Sequence, residues 1–170
     1  MRIIKEVGLN TVEQHLLQLG AGNHRDNMMR LRRFDRHCSM ELAEEDFFGL
    51  VFLQNDEVLK IAPRGYDRTL RTVAERAITQ GEARLSGNWD LGKNLRRMRE
   101  SLAEGNAPRE PLVICEARDG EWQFGPFYLQ DGAHRALASA TLILLNETPY
   151  KPQSAFCSLS AQMWDSLAHT

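Results

Sequence analysis

The residues best suited to chemistry lie in one stretch, Phe127–Ala138 (FYLQDGAHRALA). Their types predict a strand, a tight turn at a glycine, and a buried helix whose first turn carries His134 and Arg135. Such a junction presents backbone N–H groups outside the helical ladder and the positive end of the helix dipole. Gly132 lets a ligand come close to the backbone. Arg135 supplies a planar cationic fork. His134 donates a hydrogen bond or carries a proton near neutral pH. Asp131 either caps the helix or holds a metal ion or a substrate hydroxyl. With Gly132 and Ala133 these residues make a site for a polyphosphate. The plainer alternative leaves Asp131 as a cap and Arg135 paired with neighbouring acids.

A second constellation is Gly87-Asn88-Trp89-Asp90 followed by Lys93. Asp90 is a candidate base or magnesium ligand, and Lys93 a candidate phosphate contact; a core tryptophan and a helix cap are the alternative. Glu116 ends a strand-like run and is a further candidate acid, or an exposed strand end. Arg96, Arg97 and Arg99 are candidate contacts to nucleotide or DNA phosphates, or a solvated helix face. The cluster Arg30, Arg32, Arg33 and Arg36 offers a DNA-backbone contact. Glu44, Glu45 and Asp46 read most simply as a solvated turn.

The elements that must position these groups follow from periodicity and punctuation. Helices are expected over Thr11–Leu19, Asp26–Arg36, Asp67–Gln80 and Asn94–Glu104, with Gly20, Gly81 and Gly105 as stops. Thr11 and Gln14 suggest a capping box. Phe47–Leu53 and Val58–Ala62 flank a polar Gln54–Glu57 turn and predict a hairpin. Leu85–Asp90 reads as a short strand or turn. Pro111–Ala117 and Trp122–Leu129 read as strands, the second interrupted by Gly125-Pro126. Ala136–Leu145 is apolar almost all round and predicts a buried helix. Ala155–Ser158 is a last short strand and Ser160–Ala168 a terminal helix.

Composition sets the frame. The chain has 170 residues, 42% hydrophobic and 26% charged, which excludes a disordered or collagen-like chain. No apolar run approaches the roughly 20 residues that span a bilayer. The first ten residues, MRIIKEVGLN, lack the apolar core of a signal peptide. Cys38, Cys115 and Cys157 form no CxxC pair, and the five histidines show no HExxH spacing. Buried free thiols in the cytoplasm are therefore expected, with no dedicated metal cage. The net charge of −2 conceals blocks: residues 60–99 carry 10 basic and 4 acidic groups, between acidic flanks. Seventeen of the 21 basic residues are arginine, the side chain suited to bidentate phosphate contacts.

The string Asp131-Gly132-Ala133-His134-Arg135, preceded by a helix, a glycine, and a Pro-Leu-Val-Ile strand, resembles the ParB/sulfiredoxin superfamily over residues 85–158. Gly132 to Arg135 matches the G-x-x-R phosphate box of that superfamily. Sulfiredoxins carry G-C-H-R there; Ala133 replaces the cysteine, so sulfiredoxin chemistry is not expected. Free-serine kinases of the same fold carry D-G-H-H-R, from which this chain differs only at Ala133. The resemblance implies an α+β fold with a small mixed sheet over residues 85–170, carrying residues 1–84 as a helical and hairpin extension. It implies ATP and Mg²⁺ as cofactors, and ATP hydrolysis or phosphoryl transfer to a small-molecule acceptor. Arg135 would neutralise the transferring group, while Asp131 and His134 position metal, water or acceptor. Two other readings stand beside it. One is a DNA-binding nuclease of ParB-like type, as in plasmid fertility inhibition, with the basic middle as the DNA path. The other is a non-catalytic nucleotide-sensing or partner-binding module. Only 35 residues follow Arg135, too few for ParB's DNA-reading and dimerisation parts.

Overall fold

The computed structural model describes residues 1–18, 24–53, 56–80, 91–104, 110–118 and 124–168. The elements run β1 (Arg2–Glu6), α1 (Leu9–Gln18), α2 (His24–Leu31), β2 (Arg36–Leu42), α3 (Glu44–Phe48), β3 (Val51–Phe52), α4 (Asp56–Ile61), α5 (Leu70–Gln80), α6 (Leu91–Ala103), β4 (Leu112–Glu116), β5 (Phe127–Asp131), α7 (Ala133–Leu144), β6 (Gln153–Leu159) and α8 (Ala161–Ala168). The fold is α+β: one six-stranded mixed sheet in the order β1-β2-β6-β4-β5-β3, with helices packed on it. Antiparallel pairs join β1 to β2, β2 to β6 and β4 to β5, whereas β4–β6 and β3–β5 are parallel.

Alternating residues divide the core between the two faces of the sheet. One face buries Cys38, Met40, Leu42, Leu112, Ile114, Phe127, Leu129 and Cys157 against α3, α5, α6 and α7. The other buries Val51, Val113, Cys115 and Tyr128 against Val12 and Leu16 of α1 and Met28 and Leu31 of α2. Helix α7 carries small residues, Ala136, Ala138 and Ala140, at buried positions, so it can lie close to α5 and α6, which both pack on it.

The first half of the chain departs from the sequence expectations in three places. Arg2–Glu6 and Arg36–Leu42 are strands. The helix expected to run to Arg36 ends at Leu31. The hairpin expected over 47–62 is instead helix, two-residue strand and helix. Glu44, Glu45 and Asp46 form the first turn of α3, where carboxylates favour the positive helix end. The Asp46 carboxylate also accepts the Ala43 N–H at 3.1 Å. Residues 1–84 therefore contribute β1, β2 and β3 to the same sheet as the C-terminal half. The helix starts also shift. Helix α1 begins at Leu9, with the Thr11 N–H bonded to the Gly8 carbonyl at 2.9 Å, so Thr11 lies inside the helix rather than capping it. Thr69 caps α5: its Oγ1 accepts the Thr72 N–H at 3.3 Å, and Asp67 in turn accepts the Thr69 N–H and hydroxyl.

Strand β5 contains a bulge. Val113 opposes Asp131 while the next residue, Ile114, opposes Leu129. Gln130 is thus an extra residue without a partner in the β4–β5 register.

Candidate functional site

Strand β5 delivers Asp131 to the end of the sheet, and Gly132 turns the chain into α7. Gly132 adopts φ +84° and ψ +11°, in the left-handed region. It also sits in a tight place. A Cβ there would lie 2.6 Å from Leu112 Cδ2 and 3.1 Å from Arg135 Nη2. The first intrahelical bond runs from the Ala136 N–H to the Gly132 carbonyl at 2.8 Å. The N–H groups before it fall outside the helical ladder, and the cap residue, a glycine, has no side chain to satisfy them.

Arg135 folds back over this start. Its Nη1 donates to the Glu110 carbonyl and to Glu110 Oε2, each at 2.9 Å, and its Nη2 to the Pro111 carbonyl at 3.4 Å. Asp131 Oδ2 stands 3.8 Å from Nη2. The fork is therefore aimed at the helix N-terminus but shared with the segment before β4. The Glu110 side chain is 62% exposed and that of Arg135 23%, and an ion pair with one partner open to solvent is worth about 1 kcal/mol. The Pro111 carbonyl also meets His15 Nε2 of α1 at 3.1 Å, so helices from both faces of the sheet converge at this end. Asp131, Ala133 and His134 are all half-buried around the junction.

The other expected site residues do not all gather here. Asp90 and the Gly87–Asp90 turn lie outside the described residues. Lys93, Arg96 and Arg97 are exposed on α6, and none of them makes a hydrogen bond or ion pair with the junction among the described residues. Arg99 forms a two-pronged pair with Glu147, at 2.7 and 2.6 Å. Glu147 follows the C-terminus of α7, so Arg99 sits about 18 Å along that helix from Gly132. Burial opposes this pair and hydrogen bonding wins: the guanidinium holds the Glu147 carboxyl below its usual range. Glu116 is buried rather than exposed, and its Oε2 accepts the Ser160 N–H at 2.7 Å, just before α8. The arginines of 30–36 do not form one patch. Arg30 Nε donates to Cys115 Sγ at 3.2 Å, Arg32 pairs with Glu13, and Arg36 pairs with Glu6.

The cysteines are free, buried thiols. Cys38 and Cys157 face each other across β2 and β6. Burial pushes the Cys157 thiol well up, while its hydrogen bond to Cys38 lowers the latter.

A feature missed from sequence is Gln130. It is buried, it lines a cavity of about 260 Å³ beneath α2, and only its place in an otherwise apolar strand run marks it in the sequence. The chain matches no protein-family model, no curated protein and no solved structure. Among the described residues, no helix is long and apolar enough to cross a membrane.

Proposed function

We propose that this chain binds a nucleoside triphosphate at residues 131–135, with ATP and Mg²⁺ as the ligand pair, and hydrolyses it or passes its phosphoryl group to a small-molecule acceptor. The observation that carries this reading is the meeting of two anion-binding devices at one point. A left-handed glycine opens the N-terminus of α7, and the Arg135 guanidinium folds back to within 3.1 Å of where a Gly132 side chain would begin. Backbone N–H groups and a planar cation aimed at one place suit a phosphate oxygen. The likeness of Asp131–Arg135 to the ParB/sulfiredoxin phosphate box belongs to the same reading.

The residues fit a metal carried in by the nucleotide. Among the described residues no three His, Cys, Asp or Glu side chains cluster. Magnesium with nucleotides commonly needs only one or two carboxylates, the phosphates supplying other oxygens. Asp131, at the junction, is the carboxylate that would serve. When bound, the metal would neutralise phosphate charge. Arg135 would do the same from the protein side, and His134 would hold or orient the acceptor's proton.

The test is isothermal titration with ATP, CTP and ADP, with and without magnesium, on wild type, Arg135→Ala and Glu110→Gln. Wild type binds at least ATP, Arg135→Ala loses at least about tenfold in affinity, and Glu110→Gln binds as well or better, because one competing negative charge is removed while the carbonyl bonds of the fork stay. No nucleotide binding, or wild-type affinity in Arg135→Ala, overturns the proposal. Phosphate release then separates an enzyme from a sensor.

A further inference from the structure

Gln130 lies at the bulge in β5, on the same face of the sheet as Tyr128. With no place in the β4–β5 register, its carbonyl accepts from Asn27 Nδ2 of α2 at 2.9 Å. Its side chain is left over. Gln130 is 8% exposed, and neither Oε1 nor Nε2 has a hydrogen-bond partner among the described residues. A buried carboxamide normally finds partners for both ends. Bulges are enriched beside functional sites, where they re-aim one side chain.

The cavity that Gln130 lines is strongly basic. Among the described residues, Arg30 of α2, Arg33 in the turn after α2 and Arg118 after β4 also line it, with one carboxylate, Asp26. Among the described residues the lining thus carries more guanidinium groups than carboxylates, with Arg30 and Arg118 also held by other partners. Asn27 and Arg30 lie three residues apart on α2, so one side of the helix faces the cavity, and Arg33 joins it from the turn that follows. Arg33 and Arg118 continue into a neighbouring hollow of about 530 Å³, which Glu116 also lines, its carboxylate bonded to the Ser160 N–H. An amide end at Gln130 and a charged end at Arg33 and Arg118 together describe an elongated ligand.

From the unpartnered Gln130 amide in this basic cavity, we infer that the chain has a second binding site, for a small dianion that carries an amide-type edge. The carboxamide offers a donor and an acceptor side by side, the complement of an amide or nucleobase edge. The arginines offer planar forks for a phosphate monoester or paired carboxylates. This site lies on the α1/α2 face of the sheet and does not depend on the nucleotide reading for 131–135.

The probes are UMP, a phosphate monoester with a base edge; N-acetyl-aspartate, a dicarboxylate with an amide edge; and inorganic phosphate. Each is titrated calorimetrically into the full chain at physiological ionic strength. At least one of the two dianions binds about tenfold more tightly than inorganic phosphate. Preference for UMP identifies the phosphate source, and preference for N-acetyl-aspartate the carboxylate source. Gln130→Leu, similar in size, weakens that binding about tenfold while its thermal midpoint stays level or rises. Arg33→Gln weakens it with the midpoint unchanged. Binding to Gln130→Leu at wild-type strength, equal binding of inorganic phosphate, or no binding by either dianion overturns the inference. So does a fall in the Gln130→Leu midpoint, which would mean a structural partner for the amide. Loss of dianion binding in Arg135→Ala would locate it at the α7 terminus and overturn the inference without touching the nucleotide proposal.

Discussion

Replacing Gly132 by alanine perturbs the junction at its tightest point, and two costs can be worked from the structure. Gly132 holds φ +84°, and a left-handed backbone costs an L-residue about 1–2 kcal/mol. The new methyl would also stand 2.6 Å from Leu112 Cδ2. Leu112 is only 4% exposed and belongs to the core, so its methyl can retreat only by disturbing packed neighbours. Overfilling a core costs about 1–3 kcal/mol, which brings the loss to about 2–5 kcal/mol. Gly65 provides the control. It holds φ +98°, yet a Cβ there meets nothing within 4 Å, so Gly65→Ala bears the backbone cost alone. Urea denaturation of both variants measures the difference, expected at about 1–3 kcal/mol; each kcal/mol lowers the thermal midpoint by about 2–4 °C in a chain of this size. Equal losses at the two positions would refute the close approach of Gly132 to Leu112. The same methyl crowds Arg135 Nη2, at 3.1 Å, so ATP affinity should fall with stability.

Further expectations concern charge. His37 is buried beside Ser158 Oγ at 2.8 Å, and burial lowers its pKa from 6.5 against a smaller opposing effect of Glu13. The folded chain thus prefers neutral imidazole, so the stability that His37 confers is full above pH 6.5 and is lost as pH falls through the lower folded value. His37→Gln should flatten that acid limb in denaturation curves; an unchanged limb contradicts the assignment. Tyr150 donates its hydroxyl to the Leu42 carbonyl at 2.6 Å, and burial pushes its pKa up to about 12. Its contribution holds below the ordinary value of 10.0 and is lost as pH rises through about 12. The Tyr150 phenol should therefore ionise late in an absorbance titration, and Tyr150→Phe should remove its step and cost about 1 kcal/mol at neutral pH. The Arg99–Glu147 pair, both side chains 38% exposed, should give a coupling of about 0.2–1 kcal/mol in a double-mutant cycle. That coupling should shrink in high salt and fade as pH drops below the ordinary Glu value; coupling indifferent to salt contradicts the picture.

The second half of the chain was largely legible in the sequence, because local signals there agree with the tertiary structure. Pro111–Ala117, the Asp131–Gly132 turn and the apolar run after Arg135 each have one dominant pattern, and each folds as its pattern predicts. The first half was harder because its elements are short and exposed. Strand β1 is mostly solvent-facing and shows no apolar alternation. Strand β2 does alternate, with Cys38, Met40 and Leu42 inward, but it follows an arginine-rich helix with only a short turn between. In the expected hairpin, Phe47 and Phe48 are adjacent and both buried, which a half-buried strand does not allow but the end of a helix does. The backbone part of the candidate site could be read from Gly132 and Arg135. The Glu110 partner could not, since it is 25 residues from Arg135 in the chain. Nor could the unpartnered amide of Gln130, since which side chains meet it depends on how α2 packs on the sheet.

The place of β6 in the sheet has a consequence for how the molecule is made. This strand pairs β2 on one side and β4 on the other, and its contacts with β2 span long stretches of sequence, 121 residues between His37 and Ser158. On a ribosome adding about 5–20 residues per second, β2 waits roughly 6–24 s for that partner. A β1–β2 ribbon formed before then would leave one row of amides and carbonyls open, and an open strand edge invites pairing with other chains. Closure over such separations is also slow by topology alone. The nascent protein is thus most exposed to aggregation between the emergence of Leu42 and that of Leu159, an interval that slower translation lengthens and chaperone binding to the open ribbon would protect.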